Sequence, residues 1–237
     1  MSHRFRLPRI IAHRCGGSLA PENTLAGLRA SLARGIRAVE FDVMLSGDET
    51  PCLIHDETLE RTTNGQGAVA HTSDALLFSL DAGQGERIAR LAEALDFCAR
   101  HDFWVNLEIK PAAGTDERTA ALIAAQLPTL WPQAEQMLIS SFSLTALAVM
   151  QEKLPHYRRG LLYETPPPDW LDHLHQLAAS TLHCAAAAVD AALLEQAKAH
   201  AVPLLCYTVN DADAARSLLQ RGISALFTDR PDRLSNL

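Results

Sequence analysis

Residues 9–17 read Arg-Ile-Ile-Ala-His-Arg-Cys-Gly-Gly, and this stretch decides between two parallel α/β architectures. Arg9 to His13 is a short β-like run that ends in ionisable residues. A doubly wound open sheet wants a Gly-x-Gly-x-x-Gly phosphate turn directly after its first strand. His13-Arg14-Cys15-Gly16-Gly17 occupies that place and lacks the pattern. A (β/α)8 barrel instead places its working side chains at the C-terminal ends of strands, which suits a strand that runs into His13 and Arg14.

Outward from this stretch, β-like and helical runs alternate. Asn23 or Thr24 suits the N-cap of a first helix, with Leu25, Leu28 and Leu32 on one face and Gly35 as its stop. Strands are expected at 38–43, 103–109, 137–142, 158–163, 181–184, 202–209 and 224–228. Helices are expected at about 89–100, 116–127, 143–154, 169–179, 190–200 and 211–221. Eight β/α units in 237 residues, about 30 residues each, predict a (β/α)8 TIM barrel as one domain over 1–237. Cys52 to His55 is an additional apolar run after a turn at Ser46-Gly47-Asp48, and a polar, Gly-rich stretch follows from Thr62 to about Gly85.

Composition narrows the function classes. Lys plus Arg is 21 and Asp plus Glu is 28, a net charge of −7 without a basic tract, which argues against nucleic acid or an anionic membrane as partner. The five cysteines, Cys15, Cys52, Cys98, Cys184 and Cys206, are odd in number and widely spaced, with no CxxC. They read as reduced thiols. The first 17 residues hold no apolar run of signal-peptide length, and no window suits a membrane span. A cytoplasmic protein with no stable membrane association is expected.

The chemistry gathers at the ends of neighbouring strands. Side chains alternate along a strand, so Glu40 and Asp42 share one face while Val39, Phe41 and Val43 take the other. Glu108 and Lys110 share a face in the same way, and His55 ends the additional run. Each residue alone has an ordinary reading: a carboxylate paired with Arg or Lys, a structural histidine, a surface cation. Their coincidence at successive strand ends is the signal. Converging carboxylates repel unless a cation lies between them, and oxygen donors without Cys or imidazole suit a hard ion, Mg²⁺ or Ca²⁺. His13 and His55 suit general acid and base work, and Arg14 and Lys110 add positive charge. Such a set matches the needs of phosphodiester cleavage.

The residues resemble the glycerophosphodiester phosphodiesterase family. The resemblance lies in AHRCGGSLAPENTL (12–25), VEFDV (39–43), LIHDETLERTTNGQG (53–67) and LEIK (107–110). It continues through SSFS (140–143), YTVND (207–211) and FTDRPD (227–232). It spans about Ile10 to Asp232 and is closest to the short cytoplasmic bacterial members. It implies a TIM barrel with a small insertion after the second strand. It also implies hydrolysis of glycerophosphodiesters, such as glycerophosphocholine and glycerophosphoethanolamine, to sn-glycerol 3-phosphate and an alcohol. His13 and His55 match the family's catalytic histidines, Glu40, Asp42 and Glu108 its ligands to one divalent cation, and Arg14 and Lys110 its phosphate-binding positions. Tyr207 matches a substrate-pocket aromatic, commonly Trp.

Two departures stand out. Cys15 replaces the glycine that usually follows His-Arg, a strained choice if that position needs a positive φ, and a reactive thiol is the alternative reading. After Gly83 the family's longer segment over the glycerol pocket is reduced to Gln84–Leu91, without an aromatic or a proline. Glu22 is expected to brace its loop, while His183 and Phe142 each suit either pocket or core. Competing functions are a lysophospholipase D on the same fold, a non-catalytic phosphodiester-binding barrel, and a barrel metalloenzyme acting on carbonyl acids. The first would want an amphipathic docking loop and the second a missing histidine or carboxylate, and the sequence has neither. The third would not need two histidines flanking a phosphate-sized gap.

Overall fold

Apolar strands that alternate with amphipathic helices can bury both faces of a parallel sheet only if the sheet is covered outside and closed on itself. The computed structural model, which describes residues 7–234 and 236–237, is such a barrel. The stretch 1–6, part of the leader reading above, lies outside the described residues. In chain order the elements are β1 (Ile10–Ala12), α1 (Leu25–Ala33), β2 (Ala38–Leu45), β3 (Pro51–Leu53), α2 (Asp74–Leu77), α3 (Leu91–Arg100) and β4 (Trp104–Ile109). Then come α4 (Asp116–Leu130), β5 (Met137–Ser141), α5 (Leu144–Lys153), β6 (Arg158–Tyr163), α6 (Trp170–Gln176) and β7 (Thr181–Ala185). The last are α7 (Ala191–Ala199), β8 (Leu204–Tyr207), α8 (Ala212–Gln220), β9 (Ala225–Thr228) and α9 (Pro231–Leu234).

Eight strands pair in parallel in the order β1-β9-β8-β7-β6-β5-β4-β2, and β1 pairs with β2 to close the ring. The additional run is β3, which folds back antiparallel on the C-terminal half of β2, with Val43 opposite Leu53. Residues 57–90 form the insertion, with α2 and the 3-10 turn Val69–His71 packed on Met44, Cys52 and Leu59.

Alternation sorts the core into two layers. Val39, Phe41, Val43, Val105, Leu107 and Ile109 point outward and pack under α3 and α4. Ala38, on the face of Glu40, joins Ile11, Leu138, Leu205, Ala225 and Phe227 in a second cluster that fills the barrel interior. The expected elements are present with some ends shifted: β8 covers Leu204–Tyr207 where 202–209 is expected, and α6 ends at Gln176 where 179 is expected. α4 runs on to Leu130 through Pro128. Of the two N-cap candidates, Thr24 caps α1, its hydroxyl accepting from Gly27 N at 3.3 Å.

Candidate active site

The register of β2 against β4 builds the centre of the site. Asp42 lies opposite Glu108 and Glu40 opposite Asn106, so three carboxylates share one inward-facing patch at the strand ends. All three are buried, and each offers an oxygen within 4.8 Å of the others. Burial and the charges of Asp42 and Glu108 push Glu40 well above the usual carboxylate range. Burial and Asp42 push Glu108 up to about 8. Glu40 Oε1 and Glu108 Oε1 are buried without a hydrogen-bond donor. Buried acceptors left unpaired beside one another are costly, and a hard divalent cation would satisfy them. The donor set fits such an ion.

Two histidines flank the triad, each held by its own carboxylate. His13 Nδ1 donates to Asp229 Oδ1 at 2.7 Å, and its Nε2 lies 3.9 Å from Glu40 Oε2. His55 Nδ1 donates to Asp56 Oδ1 at 2.6 Å, while Lys110 Nζ donates to His55 Nε2 at 2.7 Å. Burial, with help from the charges of Lys110 and Arg14, holds His55 below the usual imidazole range. Lys110 Nζ is also 3.7 Å from Asp42 Oδ1 and 3.6 Å from Glu108 Oε1.

The turn after β1 explains how Arg14 reaches the site. Arg14 and Cys15 both take left-handed backbone, φ 49° and 74°. This aims the Arg14 amide at Glu40 Oε2 (2.8 Å) and brings its Nε within 3.6 Å of Asp42 Oδ2. The glycine-like position after His-Arg therefore does require a positive φ, and Cys15 bears it. Its thiol is fully buried, and burial pushes its pKa well up, which rules out the reactive reading. Gly27 in α1 makes the room, since a Cβ there would stand 2.9 Å from Cys15 Cβ.

These groups open on one cavity of about 290 Å³, floored by His13, Arg14, His55, the triad and Lys110, with Asn106 beside them. Phe142, Leu162, Tyr207 and Phe227 form its apolar wall. Tyr207 donates to Tyr163 O at 2.8 Å, and the Phe142 ring, 47 % exposed, stands edge-on to it. The structure thus brings together all eight residues singled out from the sequence: His13, Arg14, Glu40, Asp42, His55, Glu108, Lys110 and Tyr207.

Others fall elsewhere. His183 is fully buried on β7, bonded to Thr181 Oγ1 at 2.9 Å, and burial drives its pKa down to about 3; it does not line the cavity. None of Gln84–Leu91 lines the cavity either. That segment closes a tight turn on Asp81 and packs Ile88 against the insertion. Glu22 braces its loop by accepting from Arg14 Nη1 at 2.8 Å. The residues not foreseen are Asp229, Asp56 as the partner of His55, and Asn23, whose Nδ2 donates to Asp42 Oδ2 at 2.8 Å.

The chain matches the Glycerophosphoryl diester phosphodiesterase family over residues 13–233. It is 32% identical to a glycerophosphodiester phosphodiesterase of Caldanaerobacter subterraneus subsp. tengcongensis over 96% of each chain. Among solved structures, a phosphodiesterase of Oleispira antarctica, in complex with the product sn-glycerol-3-phosphate, superposes with a TM-score of 0.93. It is 38% identical, over 97% of this chain and 96% of that one. A glycerophosphodiester phosphodiesterase of Agrobacterium tumefaciens superposes with a TM-score of 0.81 at 28% identity, over 98% of this chain and 100% of that one.

Proposed function

The chain belongs to the glycerophosphoryl diester phosphodiesterase family, and from that premise we propose that it hydrolyses glycerophosphodiesters to sn-glycerol 3-phosphate and an alcohol with one divalent cation and two histidines. One observation carries the reading. A buried carboxylate triad, two carboxylate-held imidazoles and two fixed cations face a single cavity of substrate size. The product held by the Oleispira antarctica relative supports the glycerol side of the substrate.

Glu40, Asp42 and Glu108 would hold the cation, and Mg²⁺ and Ca²⁺ both suit three oxygens. Bound there, it supplies positive charge to the phosphoryl oxygens. Arg14 and Lys110 orient the phosphate from the same floor of the cavity. When a phosphate oxygen takes the Lys110 hydrogen bond, the Nε2 lone pair of His55 is released. His55 holds its single ring proton on Nδ1 toward Asp56, and burial disfavours its charged form, so it is the general base. It takes the proton of the attacking hydroxyl, either of water, which gives glycerol 3-phosphate directly, or of the substrate's own glycerol, which gives a cyclic phosphate that a water then opens. His13, with Asp229 on one side of its ring and Glu40 on the other, gives a proton to the departing alkoxide. Phe142 and Tyr207 supply an apolar wall for the glycerol carbons or the alcohol.

We place the enzyme in a reducing compartment, which agrees with five free, buried cysteines. Among the described residues no helix is long and apolar enough to cross a membrane. The test is release of glycerol 3-phosphate from glycerophosphocholine and glycerophosphoethanolamine with Mg²⁺, with Ca²⁺ and with chelator. Metal-dependent release from both is expected. Full activity after exhaustive chelation would overturn the cation, and no release by folded protein with either metal would overturn the substrate.

A further inference from the structure

One side chain outside the cavity touches both halves of the machinery. Arg61 lies in the insertion, half exposed. Its Nη1 and Nη2 each donate to a different Glu22 oxygen at 2.8 Å. Its Nε and Nη2 donate to the two oxygens of Asp56 at 2.5 and 3.0 Å. Glu22 in turn holds Arg14 Nη1, and Asp56 holds His55 Nδ1. A single planar guanidinium therefore closes a chain that runs His55, Asp56, Arg61, Glu22, Arg14. Lone exposed ion pairs contribute little, but this one is forked on two carboxylates, a geometry that a guanidinium can hold and an ammonium cannot.

From this geometry we infer that Arg61 is a positioning residue that sets the orientation of His55 and of Arg14 together, so that the proton acceptor and the phosphate grip are fixed by one clamp. The inference rests on the roles proposed above for those two residues. Both carboxylates are held charged for the purpose. Burial opposes charge on Glu22, yet the forked Arg61 bonds keep its carboxyl below the usual range, and the same guanidinium keeps Asp56 well below it. The clamp also ties the loop after β1 to the segment after β3, two pieces of chain that carry no strand pairing to each other.

The two arms are separable by kinetics. Asp56→Asn cuts the His55 arm and should lower kcat with KM nearly unchanged. Glu22→Gln cuts the Arg14 arm and should raise KM with kcat nearly unchanged. Arg61→Ala should do both, each on the order of 10-fold to 100-fold, the cost of misplacing a reacting group. Adding Asp56→Asn or Glu22→Gln to Arg61→Ala should then cost less than the same change costs in the wild-type enzyme, since the part of each arm that passes through Arg61 is already lost. Arg61→Lys should restore one arm at most. Arg61→Gln, closer in size, serves if the alanine variant fails to fold. A purely structural Arg61 would lower the yield or the Tm while the folded fraction kept wild-type kcat and KM; that result, or double variants whose losses multiply, would overturn the clamp. His55→Ala separates the two failures. Turnover retained there overturns the base assignment, whereas turnover lost there but retained in Arg61→Ala overturns the clamp alone.

Discussion

His13 and His55 differ in their neighbours more than in their own chemistry. The carboxylate beside His55 is shared with a guanidinium, and the one beside His13 takes its other bond from the neutral Asn210 amide at 3.1 Å. His13→Ala and His55→Ala should each lower kcat by about 10²–10⁴-fold with circular dichroism unchanged; near-wild-type turnover in either removes that residue from proton transfer. Burial lowers the pKa of His55 from 6.5, so as the base proposed above it would be available from below that pH. The acid limb of kcat/KM, measured with saturating cation, should therefore lie below pH 6.5. At this scale the sequence was informative about facing. Glu40, Asp42, Glu108 and Lys110 could be assigned to one side because strand alternation is strict. It was silent about partners across the ring. Asp229 meets His13 from 216 positions away, a contact that only closure of the barrel creates.

At the scale of elements, the junction of the loop after β1 with α1 shows how a substitution at a strained position is accommodated. Cys15 stands at φ 74° and presses on a helix residue that has no side chain. Gly27→Ala brings two Cβ atoms to 2.9 Å and should destabilise the fold, by about 1–3 kcal/mol. Cys15→Gly in that background removes the close contact and relaxes the backbone, so the double variant should recover most of the loss in urea unfolding. Additive losses would show that the two residues are independent. The need for a positive φ could be raised from the sequence as a condition on Cys15, because a residue had replaced glycine. The role of Gly27 could not, because nothing in a helical glycine announces which atom lies above it. The shortened segment at Gln84–Leu91 was legible as a length and not as a location. Its turn is stitched by Asp81 accepting from Gly83 N and Gly85 N, away from the cavity.

At the scale of the whole molecule, the barrel bears the cost of three carboxylates gathered in its mouth. For a carboxyl whose pKa is raised on folding, the folded state binds the extra proton, so stability is full below the unfolded value and is lost as pH rises through the folded one. For Glu108 that window runs from 4.5 to about 8, and Glu40 shifts in the same direction. The cation-free protein should therefore lose Tm as pH climbs from 5 to 8. Saturating Mg²⁺ or Ca²⁺ should raise Tm most at the upper end, by linkage to a site whose ligands must be ionised. A cation effect that is equal at pH 5 and pH 8 would overturn the triad as the ligand set. The barrel itself was legible from eight repeats of one period, because each β/α unit is a local pattern. Which strand neighbours the first was not local, and it is β9 together with β2.

That closure has a bearing on how the enzyme comes into being. The strand that runs into His13 leaves the ribosome well before β9, and the residue that holds the His13 ring follows β9, 216 positions further along the chain. A growing chain can bury the first half of its core and still have an imidazole free to turn. The His13 side of the site is completed only when β9 docks between β8 and β1 and Asp229 comes within reach. A chain broken off before this strand would carry Glu40, Asp42 and Glu108 and lack the carboxylate that orients the proton donor proposed above.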